Sequence, residues 1–90
     1  MKRPYEVQLT TRAERDLEKL PPMAYRIVRQ GLLLLAADPR PSGCKKLQGR
    51  GDQYRIRRGD YRIIYEVEDA ILRVLVVEVG NRRDIYLEPI

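Results

Sequence analysis

The chain has 90 residues, of which 34% are charged and 43% hydrophobic, with a formal net charge of +5 and no histidine. That length supports one hydrophobic core, so a single domain over residues 1–90 is expected. No stretch approaches the roughly 20 apolar residues of a membrane span, and the opening MKRPYEVQLT lacks a signal peptide's apolar centre, so a cytoplasmic protein without membrane contact is expected.

The elements follow in chain order. PYEVQL (4–9) alternates as a strand does. Thr11, with Glu14 three residues on, spells a capping box and opens a short helix ending near Leu20. Pro21 and Pro22 interrupt it, and Pro22 suits the first turn of a second helix over 22–37. There Ala24, Ile27, Val28, Leu32 and Leu35 form one apolar stripe. The run Leu32–Leu35 is too wide for a single stripe and is expected to be buried between the sheet and a partner. DPRPSG (38–43) is a loop by composition. Three strands are predicted at about 53–58, 61–67 and 71–79, and the last, apolar on both faces, is expected to be central. The result is an α+β fold: two N-terminal helices on a mostly antiparallel four-stranded sheet, with the first strand pairing outside the meander.

Charge is unevenly spread. Residues 45–62 hold seven basic side chains (Lys45, Lys46, Arg50, Arg55, Arg57, Arg58, Arg62) and two acidic ones, which accounts for the whole net charge, since the rest of the chain holds eleven of each. Such a patch points to a polyanion, most simply nucleic acid, or else to a solvated face that keeps the protein soluble. The two Arg-Gly-Asp triplets at 50–52 and 58–60 are read as turns, because Gly-Asp is what a hairpin bend favours.

The second triplet sets a register. With Gly59-Asp60 as a two-residue loop, Gly59 in the first central position of a type II′ turn, Arg58 faces Tyr61, Arg57 faces Arg62, Ile56 faces Ile63, Arg55 faces Ile64 and Tyr54 faces Tyr65. Alternation then puts Tyr54, Ile56, Ile63, Tyr65 and Val67 on an inner face and gathers Arg55, Arg57 and Arg62 on the other. Those guanidinium groups either meet phosphate oxygens bidentately or pair with Glu66 and Glu78 on neighbouring strands.

With KKLQG (45–49), YRIRRGDYRIIYEV (54–67) and VGNRRDIY (79–86), the whole chain resembles the RelE/ParE toxin superfamily, particularly its RelE-like ribonuclease branch. The resemblance implies a type II toxin that cleaves messenger RNA in the ribosomal A site and is held by a cognate RelB-like antitoxin. It places the catalytic set at Arg55, Arg57, Arg62, Arg82 and Tyr86. Lys45, Lys46, Arg50, Arg58 and Arg83 are the expected accompanying RNA contacts.

Cleavage of this kind needs no metal: the 2′-OH attacks the adjacent phosphate, arginines stabilise the growing charge, and protons move. With no histidine and arginine always charged, Tyr86 is the candidate for proton transfer, and Lys46 is a second titratable group. The best-known members carry lysines where this chain has Arg55 and Arg57, so a slower ribonuclease is expected. No metal-ligand cluster and no phosphate-cradling glycine loop is legible, so neither a metal nor a small-molecule cofactor is expected. The lone Cys44 has no histidine to activate it. Two alternatives stand beside this reading: a ParE-like inhibitor that binds DNA gyrase, and a catalytically silent RNA- or partner-binding protein of the same fold.

Overall fold

The computed structural model describes residues 4–49 and 51–81. Strand β1 (Glu6–Leu9) leads into helix α1 (Thr11–Glu18) and helix α2 (Pro22–Ala37). After the loop come β2 (Lys45–Lys46), β3 (Gln53–Arg58), β4 (Tyr61–Glu68), a 3₁₀ turn at Asp69–Ile71 and β5 (Arg73–Asn81). The sheet has five strands in the order β1-β5-β4-β3-β2, with β1 parallel to β5 and the other pairs antiparallel. The expected α+β class, the central last strand and the outer first strand are all present. The sheet gains a fifth strand because Lys45–Lys46 pair with Arg55 and Tyr54, two residues too short to show a period.

Both helices cover one face. Ala13 and Leu17 of α1 and Val28 and Leu35 of α2 pack against Ile56, Ile63, Tyr65, Val67, Val74, Val76 and Val79. Proline at the head of α2 sets its start where expected. Helix α1 is capped one residue earlier than its capping-box pattern suggests. Thr10 Oγ1 accepts from the Ala13 N–H at 3.1 Å and donates to the Val77 carbonyl at 2.7 Å. Thr10 wins over Thr11 because its hydroxyl reaches two partners, one of them on another strand. α1 ends at Glu18 rather than near Leu20, and β5 begins at Arg73 rather than at 71, where the 3₁₀ turn intervenes.

The Val77 carbonyl is available because β5 bulges. Ile64 pairs with Glu78 but Tyr65 with Val76, which leaves Val77 as the extra residue. The bulge reverses the side-chain parity: Val74, Val76 and Val79 are all buried, and Glu78 goes to the face away from the core. Unbroken alternation from Val74 would have sent Glu78 inward.

At the other end of the sheet, Tyr65 is fully buried and its hydroxyl donates to the Pro39 carbonyl at 2.7 Å. Burial pushes its phenol well above the usual range. Arg40 lies over the Tyr54 ring, donates to the Tyr54 hydroxyl at 3.2 Å and forks onto Asp69. The Tyr5 hydroxyl also donates to Asp69, at 2.6 Å. Together they tie the 38–43 loop to both the first strand and the β4–β5 turn. The run Leu32–Leu35 is not uniformly buried: Leu35 is at 0% exposure, but Leu33 and Leu34 are 57% and 46% exposed. Their positions on α2 turn them past the edge of the sheet. No helix of the described residues is long and apolar enough to cross a membrane.

Candidate nucleic-acid interface

The β3–β4 hairpin has the register its turn dictates: Arg58↔Tyr61, Arg57↔Arg62, Ile56↔Ile63, Arg55↔Ile64 and Tyr54↔Tyr65. Gly59 has φ +59 and Asp60 does not enter positive φ, as a type II′ turn requires and a type I′ turn forbids. Arg55, Arg57 and Arg62 therefore share the face opposite the helices. Because Arg58 and Tyr61 close the two-residue loop as a hydrogen-bonded pair, Arg57 and Arg62 form the closer, non-hydrogen-bonded kind, with Cα atoms about 4.5 Å apart. Like charges so placed repel by roughly 0.2–1 kcal/mol relative to a neutral pair.

Exposure differs within this trio. Arg57 is exposed, Arg55 is half-buried, and Arg62 is only 5% exposed. Arg62 does not stand in solvent, because a central strand, flanked by β3 and β5, packs its stem. Glu78 is 6% exposed and lies diagonally across from Arg62 on the same face, by way of the Ile64↔Glu78 and Arg62↔Gly80 pairs. Its carboxylate accepts an ion pair from α1, with Arg12 Nη2 at 3.0 Å from Oε2. Sequence reading weighed Glu78 only as a neutraliser of the arginines and missed Arg12. The signal was an (i, i+4) spacing from Arg12 to Asp16, whose side chains approach at 3.8 Å. Asp16 in turn accepts from the Val79 N–H at 3.0 Å, which fixes α1 against β5.

The other expected contacts divide between the faces. Lys45 pairs with Arg55 and so joins the cationic face, whereas Lys46 pairs with Tyr54 and points to the helix side, 3.8 Å from the exposed Asp52. Lys45 is therefore the titratable amine that the sheet places beside the arginines. Arg58 also stands on the helix side. Its aliphatic stem crosses Gly31 so closely that a Cβ at position 31 would lie 2.7 Å from Arg58 Cγ. Arg50, Arg82, Arg83 and Tyr86 lie outside the described residues. Among the described residues no group of three or more His, Cys, Asp or Glu side chains could hold a metal ion.

The far end of the same face is internally balanced. Arg73 forks onto Glu68 at 2.8 and 3.0 Å and holds its carboxyl below the usual carboxylate range. Gln53 donates to Glu66 at 3.4 Å. Among the described residues the cationic character of this face is thus concentrated at the hairpin end.

The fold and this face define the class: a small α+β protein with two helices on one side of a mixed sheet and a concentrated guanidinium surface on the other. The family described as the ParE toxin of the type II toxin–antitoxin system matches residues 7–86. Toxin RelG of Mycobacterium tuberculosis is 36% identical over 84 residues, covering 92% of this chain and 97% of the relative. The toxin–antitoxin complex RelBE2 of the same organism superposes with a TM-score of 0.82 at 33% identity, covering 91% of this chain and 95% of that one. The intact RelBE complex of E. coli gives 0.76 at 29%, covering 86% and 95%. The chain belongs to the RelE/ParE superfamily of type II toxins, on its RelE-like branch.

Proposed function

We propose that this toxin is a ribosome-dependent endoribonuclease that cleaves messenger RNA and is held in check by a RelB-like antitoxin. The observation that carries the reading is the Arg57↔Arg62 pair, with Arg55 on the same face. An RNA phosphate relieves the repulsion that water only screens, because each guanidinium forks onto oxygens that carry the compensating charge. The relatives solved as complexes with RelB support the antitoxin as partner.

The chemistry is an in-line displacement within one RNA strand. The 2′-oxygen forms a bond to phosphorus, the bond from phosphorus to the 5′-oxygen breaks, and a cyclic phosphate and a free 5′-OH result. Arg57 and Arg62 are proposed to hold the non-bridging oxygens as charge grows on them, with Arg55 and Lys45 extending the contact along the strand. Burial of Arg62 suits this role, since a packed guanidinium needs no reorganisation when charge develops; donors of that kind contribute roughly 10²–10³ each in rate. Arg82 and Tyr86 complete the proposed set, with Tyr86 taking or returning a proton. Arginine at 55 and 57 leaves no titratable amine at those positions, so slow turnover is the expectation.

The competing reading is a gyrase inhibitor that acts by binding, favoured by the ParE name of the matching family. Purified toxin added to translating ribosomes is expected to give discrete cuts in the translated message, mapped by primer extension, and to leave gyrase supercoiling unaffected. Gyrase poisoning with intact message supports the alternative, and neither effect supports a silent binding protein.

A further inference from the structure

Strand β2 is two residues long, yet its place is fixed from both sides. Gly43, at φ +90, turns the chain out of the 38–43 loop. Cys44 packs against the core and donates its N–H to the Pro41 carbonyl at 3.0 Å, and the Leu47 N–H reaches the Gln53 carbonyl at 2.9 Å. Between these anchors Lys45 stands opposite Arg55 and Lys46 opposite Tyr54. Lys46 goes to the helix side, 3.8 Å from Asp52. Lys45 is exposed and goes to the arginine face. Among the described residues no carboxylate pairs with its ammonium.

That face lies in two rows across the strands. One runs Lys45, Arg55, Ile64, Glu78, and the next runs Arg57, Arg62, Gly80. Neighbouring strands are about 4.8 Å apart and alternate residues about 6.8 Å along a strand, so the Lys45 Cα lies about 5 Å from that of Arg55, about 8 Å from that of Arg57 and about 12 Å from that of Arg62. Long side chains at those spacings bring their charged ends to one phosphodiester. The rows are also polarised. Their β2 end carries an ammonium, and their β5 end carries the Glu78 carboxylate, which Arg12 holds at 3.0 Å. An oxygen that gains negative charge is therefore favoured at the β2 end.

Proton supply separates Lys45 from its neighbours. When the bond from phosphorus to the 5′-oxygen breaks, the departing alkoxide needs a proton. A guanidinium stabilises that charge but keeps its own proton, because arginine is not deprotonated in proteins. The carboxylates that β4 and β5 put on this face are engaged: Glu66 accepts from Gln53, Glu68 from Arg73 and Glu78 from Arg12. An ammonium offers three donors on a flexible stem and becomes a neutral amine on giving up a proton.

We propose that Lys45 is the general acid of the cleavage described under Proposed function, a reading on which this assignment rests. The 2′-oxygen bonds to phosphorus while its own proton passes to deprotonated Tyr86. The bond from phosphorus to the 5′-oxygen breaks, and the Lys45 Nζ proton moves to that oxygen to give the free 5′-OH. The neutral amine then takes a proton from solvent, and Tyr86 releases one there. The amine absent from positions 55 and 57 is thus supplied by the neighbouring strand.

The test replaces the bridging 5′-oxygen of the cut linkage by sulfur. A thiol has a reference pKa of about 8.5, so a thiolate departs without a proton where an alkoxide does not. Ribosomes are programmed with a short message carrying oxygen or sulfur at the linkage that wild-type toxin cuts, and single-turnover rates are measured for wild type and Lys45→Arg. Arginine keeps the charge and loses the transferable proton. The variant is expected to cut the oxygen message about 10²-fold or more slowly, and the sulfur message within about threefold of wild type. Its melting temperature should be unchanged, since position 45 is exposed. A variant as fast as wild type on oxygen, or slowed equally on both messages, overturns this inference alone; the second result marks Lys45 as a phosphate contact. A wild-type toxin that cuts neither message removes the ribonuclease reading and this assignment with it.

Discussion

Replacing Arg62 separates its packing from its charge. Arg62→Ala deletes Cγ and Cδ from a side chain that is 5% exposed. At roughly 0.8 kcal/mol per buried methylene that is about 1.6 kcal/mol, and the residual cavity brings the loss to roughly 2–3 kcal/mol. For a chain of this size the melting temperature falls by about 10–20 °C. Arg62→Met keeps most of the stem's volume, so its cost stays below about 1.5 kcal/mol, yet it removes the charge as completely as alanine does. Both variants are expected to cut translated message about 10²–10³-fold more slowly than wild type, measured by primer extension at matched folded concentration, with circular dichroism melts run in parallel. Methionine is the decisive variant, because its loss of activity cannot be attributed to unfolding. A folded Arg62→Met toxin that cleaves at the wild-type rate refutes the role of this guanidinium, and an Arg62→Ala protein with an unchanged melt refutes its packing.

Three further outcomes are expected. Gly31→Ala, which in an ordinary helix interior gains about 1 kcal/mol, should instead destabilise by about 1 kcal/mol or more, because the new Cβ meets Arg58 Cγ at 2.7 Å and Ile63 Cδ1 at 3.0 Å; urea melts in wild-type and Arg58→Ala backgrounds should show the loss shrinking when the Arg58 stem is gone. Thr10→Ala should lower stability by about 1 kcal/mol while Thr11→Ala is near neutral, since only Thr10 caps α1; equal effects in thermal melts contradict the cap assignment. Hydrogen bonds from Arg40 and then Tyr5 hold the Asp69 carboxyl down at about 2, below its ordinary 3.8. A depressed carboxylate stabilises the fold above its unfolded pKa and loses that contribution as pH falls through the folded one. The melting temperature should therefore drop between about pH 4 and pH 2, and Asp69→Asn should flatten that section of the profile; an unchanged slope argues against the network.

Local chemistry made much of this protein readable. Pro22 set the start of α2, because a proline that cannot donate fits a helix only at its first turn. Gly59-Asp60 set the hairpin register, because a two-residue bend leaves only one pairing that keeps Ile56, Ile63 and Tyr65 on one side. From that register the shared face of Arg55, Arg57 and Arg62 followed by alternation alone. Burial did not follow, because it depends on which strands flank a residue rather than on which residues precede it. Only the five-strand order showed that Arg62 is packed while Arg57 is exposed, and only the bulge at Val77 brought Glu78 to the arginine face and gave Thr10 a second partner. The crossing of Arg58 over Gly31 and the meeting of Tyr5, Arg40 and Asp69 likewise join residues far apart in the chain. Turns and periods are written in neighbours along the backbone, whereas a guanidinium's surroundings are decided by segments that meet only once the sheet has closed.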